Sequence, residues 1–121
     1  MALHEEKLVI PEGVEVYEID GPFFFGVANK FDDMVKWVGK MPKVRVIRMR
    51  KVPFIDATGL HNLEILIDRS QKSGTTVVLS GVKEEVRKTL VHHGLDKKLG
   101  KENICPNINV ALDRATELVK E

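Results

Sequence analysis

The sequence has little of several features that would assign it to a special class of protein. Cys105 is its one cysteine, so no internal disulfide can form and a reducing compartment is expected. No apolar run approaches the ~18–20 residues that cross a bilayer, and Glu5 and Glu6 stand where a signal peptide would need apolar residues. These absences predict a chain that is soluble by itself and resides in the cytosol.

The chain also lacks an excess of charge of either sign. Its 19 Lys and Arg against 18 Asp and Glu give a formal net charge of +1, so no overall field attracts nucleic acid or an anionic membrane. With 121 residues, 43% of them hydrophobic, the chain is long and apolar enough for one core. We predict a single domain over residues 1–121, with residues 1–8 as a tether, and no nucleic-acid partner.

Hydrophobic periodicity predicts alternating strands and helices. Apolar and β-branched runs predict five strands, at residues 14–19, 23–27, 44–49, 75–79 and 104–105. Apolar residues at helical spacing predict four helices, at residues 31–41, 60–74, 82–94 and 107–119. Strands that alternate with helices form a mainly parallel sheet through right-handed crossovers. The sequence therefore predicts an α/β fold with a mixed, mostly parallel sheet of four to five strands and about four helices.

The segment Asp56-Ala57-Thr58-Gly59 lies between the third predicted strand and the second predicted helix. Open α/β sheets place their sites at the carboxyl ends of strands. Asp56 or Thr58 can accept hydrogen bonds from the free amides that open the helix, and Gly59 lets the backbone come close there. On the residues alone, an N-terminal cap is the simpler interpretation and a recognition loop is the alternative.

The same four residues resemble the Asp-Ser-Ser-Gly or Asp-Ser-Thr-Gly loop of STAS domains, which anti-sigma-factor antagonists share with the tails of anion transporters. The segment from Ile19 to Gly26, followed by Phe31, is similar to the start of SulP-type transporter tails. Ile104-Cys105-Pro106-Asn107 and the helix after it resemble the last strand and helix of those tails. The resemblance covers nearly the whole chain and implies the STAS fold, which is the fold of anti-sigma-factor antagonists.

The resemblance to SulP-type tails implies a non-catalytic regulatory and docking domain of a transporter for sulfate or a related anion. Such a domain lies on the cytoplasmic side of the inner membrane, and its partner is the transmembrane domain of its own transporter. Regulatory proteins and a second copy of the chain stay open as further partners.

The alternative is a free-standing anti-sigma-factor antagonist or stress-signalling protein. In antagonists the resemblance identifies the second hydroxyl residue of the loop, here Thr58, as the phosphorylation switch. Ala57 replaces the first hydroxyl residue, and the apolar run from Phe23 to Gly26 replaces a polar strand. Both departures favour the transporter interpretation.

Basic residues crowd the third predicted strand and its exit, more than a strand buried on both faces can hold. They are Arg45, Arg48, Arg50 and Lys51. In one interpretation the side chains pass the edges of the sheet or pair with Glu and Asp. In the other, Arg48, Arg50 and Lys51 form a basic patch beside Asp56 that contacts an anion or an acidic partner. No cofactor is expected, although a nucleotide phosphate stays open as one such anion.

Three motifs that suggest chemistry are incomplete. The segment 94–101 is similar to a phosphate-binding P-loop, but it has one residue too many between its glycines, and Glu102 replaces the required Ser or Thr. His92 and His93 point about 100° apart on a helix, and no further ligand at a suitable spacing completes a metal site. His61 lacks an orienting acid and an oxyanion site. We predict no catalytic residue, no metal and no enzymatic activity.

Overall fold

The structure is a computed structural model that describes residues 8–20 and 42–120 of the chain. The strand predicted at residues 23–27 and the helix predicted at residues 31–41 lie outside the described residues, as does nearly all of the predicted tether. Within the two described ranges, no helix is long and apolar enough to cross a bilayer.

The described strands form one parallel sheet. They are β1 (Val14–Asp20), β2 (Val44–Lys51), β3 (Thr76–Ser80) and β4 (Ile104–Cys105). They lie side by side in chain order, so each strand pairs with the next. Parallel neighbours need crossover connections, and helices lie between β2, β3 and β4 to provide them. The predicted α/β fold with a mostly parallel sheet is confirmed.

Four α-helices belong to the described part of the chain. They are α1 (Ala57–Lys72), α2 (Glu84–His92), α3 (Leu95–Leu99) and α4 (Ile108–Lys120), with a 3-10 turn at Lys101–Asn103. Three of them confirm the helices predicted at residues 60–74, 82–94 and 107–119. The sequence does not predict α3, because five residues between two glycines are too few to show a helical period.

Helix α1 buries one apolar stripe, as its residue spacing predicts. Leu60, Leu63, Leu66 and Ile67 are all buried, and burial of a side chain of this size contributes ~1.5–3 kcal/mol. Gly74, with φ +82, follows the end of the helix in a conformation that glycine adopts without strain. The stripe fixes which face of α1 meets the sheet, and so fixes where its first turn lies.

The sheet is packed on both faces. Residues of β2 alternate between two clusters: Ile47 and Met49 enter a cluster with the buried residues of α1, α2 and α3, whereas Val44 and Val46 enter a cluster with α4. Since β2 lies between β1 and β3, it is at the centre of the core. Packing on both sides therefore fixes the direction in which the chain leaves β2.

Arg45 of β2 is buried, with 2% of its surface exposed. Its Nη1 donates a hydrogen bond of 3.1 Å to Ser70 Oγ, and its guanidinium carbon lies 6.0 Å from the centroid of the Tyr17 ring. The Tyr17 hydroxyl donates to the carboxylate of Glu15. Burial, together with that hydrogen bond, raises the pKa of Tyr17 above its usual range. A buried guanidinium needs such contacts, because its desolvation costs several kcal/mol.

Candidate functional site

The chain turns sharply as it leaves β2, and the turn presents an aromatic residue. The Val52 N–H donates a hydrogen bond of 3.0 Å to the Met49 carbonyl. Val52 and Ile55 both enter the core, at 0% and 6% exposure. The two residues between them face outward, and Phe54 is 55% exposed. Two buried anchors three residues apart thus hold a short loop that displays Phe54.

Asp56 is the N-terminal cap of α1. Its backbone is extended, and its Oδ1 accepts a hydrogen bond of 2.7 Å from the Gly59 N–H. Its carbonyl accepts another, of 2.8 Å, from the Leu60 N–H. Of the two caps that the sequence allowed, Asp56 and Thr58, the structure uses Asp56. A cap of this type is worth ~1 kcal/mol.

The four predicted loop residues differ in what they present to solvent. Asp56, Ala57 and Thr58 are exposed, whereas Gly59 is buried at the base of the helix. The predicted passage from the carboxyl end of a strand to the amino end of a helix is confirmed. A partner or a modifying enzyme can reach Thr58, but a regulatory role for these residues stays a prediction.

A shallow cleft of about 230 Å³ opens beside this loop. Helix α1 and the turn between α2 and α3 line it, with residues Ala57, Leu60, His61, Glu64, His93 and Leu95. The described residues contain no group of three or more His, Cys, Asp or Glu side chains that could hold a metal ion. In the cleft, Leu60 and Leu95 are buried, whereas His61 and His93 are exposed. Such a lining suits one side chain of a partner better than a catalytic centre.

The predicted basic patch is not open to solvent as a whole. Arg48 is only 5% exposed, so its proposed place on an open patch is wrong. Arg50 is partly exposed, and its Nε lies 2.8 Å from Glu18 Oε2; the Nζ of Lys51 lies 3.8 Å from the same oxygen. Pairing with an acid, the simpler interpretation, is therefore correct for these two residues. Contact of Arg50 or Lys51 with an anion stays a prediction.

Two contributors to the site are not evident from the sequence. Phe54 looks like a core residue, because it stands in an apolar run with Val52 and Ile55, and only the turn at Met49 reveals that it faces out. Glu18 lies on β1, 32 positions from Arg50. The spacing of its neighbours does not identify it as the acid that pairs with the basic residues.

Several known proteins that are similar to the chain are described as transporter proteins or as domains of them. A solved structure of a sulfate transporter family protein from Wolinella succinogenes is 43% identical, with a TM-score of 0.85, over 94% of this chain and 93% of that chain. The SulP transporter STAS domain from Vibrio cholerae is 31% identical, with a TM-score of 0.84, over 98% of this chain and 92% of that chain. Bacillus subtilis (strain 168) YvdB, whose name describes a sulfate transporter, is 28% identical over 91 residues. Those residues are 74% of this chain and 17% of YvdB.

More distant solved structures share the fold. Moorella thermoacetica RsbS is 21% identical, with a TM-score of 0.71, over 93% of this chain and 96% of that chain. A Thermotoga maritima protein described as an anti-sigma factor antagonist is 19% identical, with a TM-score of 0.69, over 96% of this chain and 96% of that chain. The fold is therefore shared by transporter domains, by RsbS and by that protein. The model of the STAS domain family matches residues 7–111, and the chain belongs to the STAS domain family.

Proposed function

We propose that the chain is the cytoplasmic regulatory and docking domain of a SulP-type transporter for sulfate or a related anion, and that it is not an enzyme. The two solved structures that support this proposal are similar over more than nine-tenths of the chain. YvdB extends far beyond the matched region, which leaves room for a membrane part that carries the anion. The domain itself then lies at the cytoplasmic face of the inner membrane.

The observation that carries the docking role is the exposure of Phe54 next to Thr58. An aromatic side chain that is 55% exposed offers apolar area to a partner, and aromatic residues are frequent among those that dominate binding energy. Its loop is anchored in the core on both sides, so little further ordering is needed when it binds. We propose that the partner is the transmembrane domain of the same transporter.

A pair of exposed apolar residues provides the test. Phe54→Ala removes the aromatic ring from the loop, whereas Val110→Ala shortens a 42% exposed side chain on α4. The affinity of each domain for the separately expressed transmembrane part, in lipid nanodiscs, is measured by a binding titration. We expect Phe54→Ala to weaken binding at least about tenfold and Val110→Ala to leave it unchanged. Equal affinities for Phe54→Ala and the unaltered chain would contradict the docking role.

A second candidate function is a signalling subunit that is switched by phosphorylation at Thr58. The exposure of Thr58 in the first turn of α1 favours it, as does the fold shared with RsbS. A phosphate there would add about −1.5 to −2 charges where the helix dipole favours them. The nearby carboxylate of Asp56 would oppose this charge. The switch would release a partner whose surface fits the neutral hydroxyl.

Mass spectrometry separates the two candidates. The chain is incubated with cellular kinase fractions from its own source, next to a Thr58→Ala variant. Phosphate on Thr58 that is missing from the variant supports the switch. No phosphate under any condition would remove the switch and leave the docking role unaffected.

We propose that residues 1–121 act as one domain without a cofactor. Nucleotide binding is not part of the proposal, because Arg50 and Lys51, the exposed members of the basic group, already contact Glu18. A homodimer and further regulatory proteins are compatible with the docking role. Analytical ultracentrifugation of the isolated chain measures whether it forms a homodimer.

A further inference from the structure

The pairing register between β1 and β2 shifts by one residue just before the loop that displays Phe54. Glu18 pairs with Arg48 and Asp20 pairs with Lys51, so β1 advances by two residues while β2 advances by three. An extra residue of this kind bends a strand and redirects the side chains that follow. The bend is what allows Met49 and Val52, three positions apart, to enter the same core cluster.

Arg50 is one of the residues within this bend, and an acid holds it from the β1 side. Its Nε donates to Glu18 Oε2 at 2.8 Å and its Nη2 to Glu18 Oε1 at 3.4 Å. The Glu18 side chain is 17% exposed and that of Arg50 is 35% exposed. A guanidinium that contacts both oxygens of a carboxylate is held in orientation as well as in position.

Gly81 packs against the backbone of the same residue. A Cβ at Gly81 would lie 3.1 Å from Arg50 Cβ and 3.2 Å from the Arg50 backbone nitrogen. The Gly81 N–H donates to the Cys105 carbonyl at 3.0 Å, which fixes the turn after β3 to β4. The turn therefore supports the bend closely, in a space that a side chain would fill.

We propose that Glu18, Arg50 and Gly81 form a clamp that positions the docking loop, residues 52–56. The ion pair holds Arg50 to β1, Gly81 supports its backbone, and the turn into Val52 begins from this fixed point. A loop that is ordered before binding loses less conformational entropy when a partner arrives. The effect on binding rests on the docking role proposed above, whereas the effect on loop order does not.

Amide hydrogen exchange on the isolated 121-residue chain, followed by NMR, tests the clamp without a partner. Glu18→Gln removes the charge and keeps the shape of the side chain. We expect the Val52 amide, which donates to the Met49 carbonyl, to exchange about two- to fivefold faster, because local opening no longer breaks an ion pair. The Thr76 amide, which donates to the Lys43 carbonyl at 2.9 Å near the other end of the sheet, should keep its rate, because fraying of that end exposes it and leaves the ion pair intact.

Two further variants control the comparison. Asp68→Asn removes a carboxylate that lies 2.9 Å from Lys98 Nζ, between α1 and α3, and should leave the Val52 rate unchanged. Arg50→Lys keeps a cation near Glu18 and should protect the Val52 amide better than Arg50→Gln does.

Two results would overturn the clamp. If Glu18→Gln leaves the Val52 rate unchanged, the pair does not hold the turn. If the Val52 and Thr76 amides accelerate by the same factor, the pair supports the whole fold and not the loop. Neither result depends on docking: normal binding by Phe54→Ala would remove the docking role and leave the exchange measurement valid.

Discussion

The two ends of the parallel sheet are closed in different ways. At the amino end, backbone groups bond directly to backbone groups: the Lys43 N–H donates to Gly13 at 2.8 Å, and the Thr76 N–H donates to Lys43 at 2.9 Å. A side chain takes part as well: the buried hydroxyl of Thr75 donates a hydrogen bond of 2.7 Å to the Pro42 carbonyl. Main-chain hydrogen bonds therefore hold this end of the sheet together.

The carboxyl end adds side-chain contacts to backbone bonds such as that from the Gly81 N–H to the Cys105 carbonyl. Glu18 and Arg50 link β1 to β2, Phe54 stands exposed on the loop that follows, and Thr58 is exposed in the first turn of α1. Side-chain contacts can be altered by charge, by modification or by a partner, whereas backbone ladders cannot. The adaptable end of this sheet is therefore also the end that carries the candidate docking loop.

Substitution of the glycine in the clamp should have the largest effect. Gly81→Ala places a side chain 3.1 Å from Arg50 Cβ at φ +68, whereas Gly74→Ala meets nothing within 4 Å at φ +82. We expect Gly74→Ala to lower the free energy of unfolding by about 1 kcal/mol from backbone strain alone, and Gly81→Ala by about 2–3 kcal/mol, since crowding adds to strain. Urea denaturation measures both. Equal losses in the two variants would mean that crowding against Arg50 does not contribute to the destabilisation of Gly81→Ala.

Removal of the buried hydroxyl from the amino end should have the next largest effect. Thr75→Val leaves the Pro42 carbonyl without its donor and should cost about 1–2 kcal/mol of unfolding free energy. Thr89→Val removes a hydroxyl that donates a hydrogen bond of 3.1 Å to the Glu85 backbone carbonyl on the surface of α2. This variant should lose less than about 0.5 kcal/mol of unfolding free energy. Thermal unfolding measures the stability of both variants. A larger loss of stability in Thr89→Val than in Thr75→Val would contradict a structural role for the buried hydroxyl at the amino end.

Loss of the cap should have a smaller and more local effect. Asp56→Ala removes the acceptor for the Gly59 N–H and should cost about 1 kcal/mol, whereas Asp56→Asn should retain most of the stability. Urea denaturation gives both values. If the alanine and asparagine variants were equally stable, the hydrogen bond from Gly59 would not stabilise the start of α1.

The smallest effect concerns pH. The hydrogen bond from Arg50, and the nearby charges of Arg50, Lys51 and Arg48, lower the pKa of Glu18 below its usual value of 4.5 in spite of partial burial. The stabilisation is therefore complete above about pH 4.5 and is lost as the pH falls through the folded-state pKa. Glu18→Gln should be less stable than the unaltered chain at pH 7, by less than about 1 kcal/mol. The difference should shrink below pH 4.5, and a difference that grew in acid would contradict the pairing.

The sequence predicts the elements of this fold where the signal is local. The apolar stripe of α1 recurs at helical spacing from Leu60 to Ile67, and the Asn107 side chain accepts a hydrogen bond of 2.9 Å from the Val110 N–H at the start of α4. Such features depend on residues three or four positions apart. Helix α3 has no such signal, because its five residues are held by tertiary contacts: Leu95 and Leu99 are buried in the main cluster.

The candidate site was predictable only in part, for the same reason. The position of Asp56 between a strand and a helix follows from local patterns. The burial of Arg48 depends instead on its central position, where it pairs with Glu18 and with Ser80. The exposure of Phe54 depends on the turn that follows a one-residue shift between two strands, and the pairing of Arg50 depends on an acid 32 positions away. Pairing across the sheet is set by the whole fold, so periodicity along one segment does not reveal it.

The proposed function depends on contact between the docking loop and the transmembrane part of the transporter. Hydrogen exchange of the domain, alone and bound to that part in nanodiscs, tests this claim most directly. Docking at the loop predicts slower exchange in the bound state over residues 52–60 and unchanged exchange over Ile108–Lys120. Slower exchange over α4, with residues 52–60 unchanged, would contradict it.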